Sequence, residues 1–140
     1  MQFDPNNNII KLCAEGMSLE GEGKKEAALQ LFQQAWDEAS NDFEKFTAAH
    51  YVARQQKSIA EKLDWDQIAL HHALKINDEG MKGTYPSLYL NIGKGYEDLN
   101  DVENARTNYA LALSFTAFLP EDGYGQLIKG GILNGIERVK

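Results

Sequence analysis

Apolar residues recur along this chain at three- and four-residue spacings, and few segments alternate strictly between apolar and polar residues. A period near 3.6 residues indicates amphipathic α-helix, whereas alternation would indicate strands. With the turn residues between the periodic segments, the pattern predicts seven helices, at about residues 6–21, 24–39, 42–61, 65–80, 86–99, 102–118 and 122–139. The sequence therefore predicts an all-α fold.

Turn and cap residues mark the ends of the predicted helices. Gly21 and Gly23 lie close together between the first two helices, where paired glycines favour a turn. Asn41, with Glu44 three residues later, is similar to a capping box at the start of the third helix. Pro86 suits a first helical turn, because the N–H group at that position is unpaired anyway. These signals predict helical hairpins joined by short turns.

One residue pattern occurs three times in the chain. The alanines Ala35, Ala73 and Ala112 lie 38 and then 39 residues apart. The same spacings relate three further sets: Leu12, His50 and Tyr89; Gly16, Arg54 and Gly93; and Phe32, Leu70 and Tyr109. Because one offset holds across both helices of each segment, we interpret the chain as an array of three helical hairpins.

The repeated glycines point to close packing between helices. Gly16 and Gly93 lie inside predicted helices, where a glycine costs about 1 kcal/mol relative to alanine. A close approach of two antiparallel helices would account for a glycine at these positions. The bulky Phe32 and Tyr109 are expected to fill the space beside them.

At these positions the chain resembles the tetratricopeptide repeat family. The last repeat carries nearly the whole signature of that family, in Tyr89, Ile92, Gly93, Tyr96, Ala105, Tyr109 and Ala112. The first repeat matches it through Leu12, Gly16, Leu19, Ala28, Phe32 and Ala35. The resemblance covers about residues 4–118. It implies one domain, an α-α superhelix with repeats at about 9–42, 43–82 and 86–119 and a capping helix at about 122–139.

The middle repeat departs from the family pattern. Arg54 stands where a small residue is expected, and Asp66 replaces an alanine. Each repeat is also longer than the usual length of about 34 residues. We therefore expect the middle hairpin to be the least regular part of the array.

The last predicted helix has an apolar face and also carries three glycines. An array needs its last hairpin covered, so a capping role is the first expectation. Gly131 and Gly135 fall on one side of the helix, where another backbone could approach. Self-association into a homodimer or a bound peptide at that side are the alternatives.

The resemblance also implies a binding surface, because members of the family hold peptides on the concave face formed by their first helices. Residues one position beyond the repeated positions of these first helices are expected to face it: Cys13 and Met17; Tyr51, Gln55 and Ser58; and Leu90, Lys94 and Glu97. This mixture suits a partly apolar protein or peptide ligand. The cations with which some members grip a carboxylate are absent near Cys13, Val52 and Ser87.

Composition and charge restrict the partners further. The net charge of −7 opposes binding to nucleic acid. The N-terminus does not resemble a signal peptide, and no apolar run reaches the roughly 18 residues of a membrane span. We therefore expect a cytoplasmic protein whose partner is neither a membrane nor a nucleic acid.

The candidate chemistry is weak. Cys13 is the only cysteine, and the adjacent His71 and His72 point about 100° apart on a helix, so they make a poor metal site. We expect no metal, no cofactor and no catalytic residue, and hence a non-enzymatic scaffold. The alternative is a small-ligand sensor or small enzyme with a pocket between the repeats and the last helix, lined by Tyr51, Tyr85, Tyr89 and Tyr124.

Overall fold

The computed structural model describes residues 4–140, which form seven α-helices and two short 3-10 helices and contain no strand. The α-helices are α1 (Asn8–Gly21), α2 (Lys25–Glu38), α3 (Asp42–Arg54), α4 (Ile59–Leu74), α5 (Tyr85–Asp98), α6 (Val102–Ser114) and α7 (Gly123–Arg138). The 3-10 helices are Glu79–Gly83 and Thr116–Phe118. The predicted all-α fold is confirmed.

The described chain divides into two compact units, residues 4–76 and residues 77–140. In the first unit, α1 packs along α2 and α3 packs along α4. Helix α3 also contacts both α1 and α2, so the two hairpins share one core. In the second unit, α5 and α6 form a hairpin, and α7 packs against both of its helices.

The α1–α2 hairpin is held at a short distance by a glycine and an aromatic ring. A Cβ atom on Gly16 would lie only 2.3 Å from Cε1 of Phe32. Phe32 is fully buried, and its ring stacks on Tyr51 of α3 with the centroids 5.2 Å apart. The close helix packing predicted for Gly16 is therefore confirmed.

In the second unit, two glycines pack against one aromatic ring, that of Tyr109. Tyr109 of α6 is fully buried. A Cβ atom on Gly93 of α5 would lie 2.7 Å from its ring, and one on Gly135 of α7 would lie 2.6 Å from it. The ring is therefore enclosed between two glycines, which brings all three helices of the unit close together.

The middle hairpin begins at residue 42 as predicted, but the turn between its helices and its end lie at other residues. Helix α3 ends at Arg54 and α4 begins at Ile59, so the predicted boundaries at 61 and 65 were wrong. The reason is a capping interaction: Oγ of Ser58 accepts a hydrogen bond from the N–H group of Glu61 at 3.0 Å. Ser58 and Glu61 have the spacing of a capping box. Helices α4 and α6 also end earlier than predicted.

The two unusual residues of the middle repeat lie in different environments. Arg54 is exposed, and its Nη2 lies 3.1 Å from Oε1 of Glu20 in α1. Asp66 is 3% exposed and accepts a hydrogen bond from Lys62 Nζ at 2.6 Å. Burial raises the pKa of Asp66, although Lys62 opposes that shift. The polar residue is tolerated inside the hairpin because it has a cationic partner.

His50 of α3 gives the first unit a predicted pH dependence. Burial, followed by the nearby charges of Arg54 and Lys62, lowers the pKa of His50 from 6.5 to about 4. Because the unfolded chain binds the proton first, the free energy of unfolding should fall as the pH drops from 6.5 towards 4. Urea titrations at several pH values, followed by tryptophan fluorescence, measure this slope.

The variant His50→Gln is the control for that slope, because it removes the titrating ring and keeps a polar side chain. The raised pKa of Asp66 acts in the opposite sense, since the folded state then binds the proton first. Asp66 is unchanged in both proteins, so their difference isolates His50. An equal pH dependence in both would contradict the assignment.

Candidate functional site

A cavity of about 230 Å³ opens between the first helices of the two hairpins in the first unit. Its lining residues are Ile10, Cys13, Ala14, Met17, Thr47 and Tyr51. The four residues from α1 follow the i, i+3, i+4, i+7 spacing of a single helix face. The two residues from α3 lie four apart, which also places them on one face. We call this cavity the α1–α3 groove.

The walls of the α1–α3 groove are mostly apolar and partly open. Met17 is 40% exposed, whereas Cys13 is 2% exposed. Burial raises the pKa of the Cys13 thiol to about 11, so it remains a thiol at neutral pH and contributes as a small apolar side chain. The Thr47 hydroxyl donates to the Phe43 carbonyl at 2.9 Å, which satisfies its donor within α3.

Tyr51 is the largest residue of the groove wall and is held from two sides. Its ring stacks on the buried Phe32, and the guanidinium carbon of Arg54 lies 5.3 Å from the centroid of the same ring. Burial raises the pKa of Tyr51, so its hydroxyl is neutral at physiological pH. The groove therefore presents a fixed aromatic surface to a ligand.

One hydrogen-bonded carboxylate lies near each end of α1. Beside its N-terminus, Glu44 accepts hydrogen bonds from Asn7 Nδ2 at 3.0 Å and from the Ser40 N–H group at 2.9 Å. These bonds, that from Asn7 first, lower the pKa of Glu44. At the other end, Glu20 forms an ion pair with Arg54 and accepts a hydrogen bond from the Gln55 amide.

The structure brings only some of the predicted first-unit residues to this groove. Cys13, Met17 and Tyr51 line it together. Gln55 follows the last residue of α3 and bonds to Glu20, and Ser58 is the cap of α4. Ile10, Ala14 and Thr47 also line the groove but were missed. The helical spacing of Ile10 and Ala14 to Met17 could have revealed them.

The three predicted residues of the second unit are engaged within that unit. Leu90 packs against Gly131 of α7, where an added Cβ atom would lie 3.2 Å from Leu90 Cδ2. Lys94 forms an ion pair with Asp98. Glu97 accepts hydrogen bonds from the Tyr109 hydroxyl and from Arg138 of α7. Each of these side chains therefore has a structural contact in addition to any contact with a ligand.

Tyr109, Glu97 and Arg138 form one polar network across the second unit. The Tyr109 hydroxyl donates to Glu97 Oε1 at 2.6 Å, and Arg138 Nε donates to Glu97 Oε2 at 2.8 Å. Arg138 and then Tyr109 lower the pKa of Glu97, while burial and Glu97 raise the pKa of Tyr109 to about 12. The network links α5, α6 and α7 by their side chains.

The aromatic residues considered for a small-ligand pocket have different neighbours. Tyr85 and Tyr89 both pack on Phe115, with ring centroids 5.1 and 6.0 Å apart. Tyr124 is 50% exposed. Tyr51 belongs to the first unit and lines the α1–α3 groove. Within residues 4–140 no group of three or more His, Cys, Asp or Glu side chains is arranged to hold a metal ion.

Comparisons with known proteins give no further guidance, since no family model, no curated protein and no solved structure matches this chain significantly. Among the described helices, none is both long and apolar enough to cross a bilayer.

Proposed function

We propose that this protein is a tetratricopeptide-like module that binds a protein or peptide without catalysing a reaction. The observation that carries the proposal is the α1–α3 groove, which has an apolar wall and lies between the first helices of successive hairpins. Those are the helices on which the repeat resemblance places the ligand. The superhelical arrangement, the cytoplasmic location and the absence of catalysis belong to the same proposal.

The size of the groove favours a peptide side chain over a free small molecule. Pockets for small ligands occupy about 300–1,000 Å³. The α1–α3 groove measures about 230 Å³ and is open at its Met17 side. A cavity of this size suits one large apolar side chain of an extended or helical peptide, whose remaining residues stay outside it.

The chemistry of the groove also fits binding better than catalysis. The thiol of Cys13 has a raised pKa, so it is a poor nucleophile. The Tyr51 hydroxyl likewise has a raised pKa. No histidine or carboxylate side chain is among the residues that line the groove. A general base within hydrogen-bond reach of a bound substrate is therefore absent from this lining.

The variant Met17→Ser tests the proposal. Peptides selected from a random library against the full chain should bind it about tenfold more weakly, because a partly exposed apolar contact of the groove is lost. Isothermal titration calorimetry with one selected peptide measures the change.

The variant Leu74→Ser is the matched control, since Leu74 is 49% exposed and lies outside the groove. Its affinity for the same peptide should equal that of the original protein. Helix content measured by circular dichroism establishes that both variants are folded. Equal affinities for all three proteins would show that the groove is not the binding site.

A further inference from the structure

A second cavity, of about 350 Å³, lies at the end of the first unit where α2 begins and α3 ends. Its lining residues are Lys25, Glu26, Leu29, Arg54, Gln55, Gln56 and Lys57. Three of these side chains are cations and one is a carboxylate. This local excess of positive charge contrasts with the net charge of −7 of the whole chain. We call this cavity the basic pocket.

Two of the three cations in the basic pocket are free to bind a ligand. Lys25 and Lys57 are exposed, and neither forms an ion pair or a hydrogen bond with another residue in the described part of the chain. Arg54 shares its charge with Glu20, and Glu26 lies on the lining itself. Glu26 also has no ion pair among the described residues, so the two lysines leave the pocket with a net unpaired charge of about +1.

Arg54 connects the basic pocket with the α1–α3 groove. It lines the basic pocket, and its guanidinium carbon lies 5.3 Å from the ring of Tyr51, which lines the groove. Gln55, the residue that follows α3 and lines the basic pocket, lies four positions after Tyr51, a rise of about 6 Å. The apolar and cationic surfaces are therefore neighbours along a single helix.

We propose that the first unit binds a peptide segment in which a large apolar side chain is followed, two or three residues away, by acidic side chains. An extended peptide rises about 3.3 Å per residue, so two or three residues cover the step from Tyr51 to Gln55, where the basic pocket begins. The apolar side chain enters the α1–α3 groove, and the carboxylates face Lys25 and Lys57. The inference rests on the proposed function and adds the charge of the partner to it.

The opposite choice, a basic segment, is disfavoured by the same residues. It would bring cations against Lys25 and Lys57, which have no counter-ion to exchange. Glu20 and Glu44, the carboxylates near the ends of α1, already accept hydrogen bonds from Gln55 and Asn7. The net unpaired charge of the basic pocket is positive, and a partner of negative charge complements it.

The test uses the full chain labelled with nitrogen-15 and four synthetic peptides observed by nuclear magnetic resonance. Three share a leucine and differ at two positions further along, in the sequences GSLGEEGS, GSLGSSGS and GSLGKKGS. The fourth, GSSGEEGS, keeps the two glutamates without the leucine. Shifts of the Met17 and Tyr51 amides report the groove, and shifts of Lys25 and Lys57 report the basic pocket.

We expect GSLGEEGS to bind about tenfold more tightly than GSLGKKGS, and to shift both groups of signals. In the variant Lys57→Glu this preference should disappear or reverse. The matched control is Lys129→Glu, an exposed lysine of the second unit with no ion pair among the described residues, which should keep the preference. Added salt should weaken the preference as well, because the lysines are exposed.

Different failures have different meanings. If the three leucine peptides bind equally through Met17 and Tyr51, the acidic preference is wrong while the groove remains a binding site. If GSSGEEGS binds as tightly as GSLGEEGS, the site recognises charge alone and the pairing of the two surfaces is wrong. If no peptide shifts the Met17 and Tyr51 signals, both the inference and the proposed function are contradicted.

Discussion

Replacing Tyr109 by alanine is expected to unfold most of the second unit at moderate urea concentrations. Removing a buried aromatic side chain costs about 3–5 kcal/mol, and a whole domain is stable by only about 5–15 kcal/mol. The cost should lie at the high end, because Gly93 and Gly135 on either side of the ring have no side chains with which to fill the space. Urea denaturation followed by far-ultraviolet circular dichroism measures the loss.

The variant Tyr109→Phe separates the ring from its hydroxyl group. It keeps the packing between the two glycines and removes only the hydrogen bond to Glu97. Hydrogen bonds to charged groups contribute about 1.5–3 kcal/mol, so its loss should be clearly smaller than that of Tyr109→Ala. Glu97 keeps its two bonds from Arg138. Equal losses in the two variants would show that the ring packing contributes little.

Replacing Phe32 by alanine should have an effect of similar size in the first unit. Its fully buried ring lies against Gly16 and stacks on Tyr51, so about 3–5 kcal/mol of the free energy of unfolding should be lost. Both tryptophans, Trp36 and Trp65, lie in this unit. Tryptophan fluorescence in a urea titration therefore reports its unfolding directly.

A matched series tests whether Gly16 and Phe32 act as a pair. The variant Gly16→Ala places a Cβ atom 2.3 Å from the Phe32 ring, and overpacking of this kind costs about 1–3 kcal/mol. The double variant with Phe32→Leu should lose less than the two single losses together, because the smaller side chain makes room. Strict additivity of the two losses would exclude a direct contact.

The close helix contacts were predictable because they follow from residue size alone. An unusual glycine and a bulky residue recur at matched positions, and only one packing explains both. Gly16 with Phe32, and Gly93 with Tyr109, meet in the structure as expected. Asn41 was likewise recognised as a cap, and its Oδ1 accepts from the Glu44 N–H group at 2.8 Å.

The boundaries of the middle hairpin were harder, because two local signals conflict there. The absence of glycine and proline between Arg54 and Ser58 favours a continuous helix, whereas the Ser58 and Glu61 spacing caps a new one. The first N–H groups of a helix have no partner within the helix, and a side-chain cap satisfies one of them. The cap decides where the new helix begins.

The environment of Glu97 could not be predicted from the repeat pattern. Its partner Arg138 lies 41 residues away, in a helix that follows the last repeat. Glu97 lies next to a position of the repeat pattern, and helical geometry places it on the face of the expected groove. Whether it forms an ion pair depends on which charged side chain of another helix lies close to it. Sequence spacing determines the face of a helix and not the residues that approach it from elsewhere.

The glycine and aromatic pairs also restrict the order in which substitutions can accumulate at these positions. A larger residue at position 16 meets the Phe32 ring if it comes first, but finds space if Phe32 has already become smaller. The middle repeat has a large residue with a smaller partner: Arg54 stands at the position of Gly16, and Leu70 at that of Phe32. A change from glycine and phenylalanine to arginine and leucine needs two substitutions. If phenylalanine is replaced by leucine first, the intermediate chain has no steric clash; if glycine is replaced first, the new side chain meets the Phe32 ring.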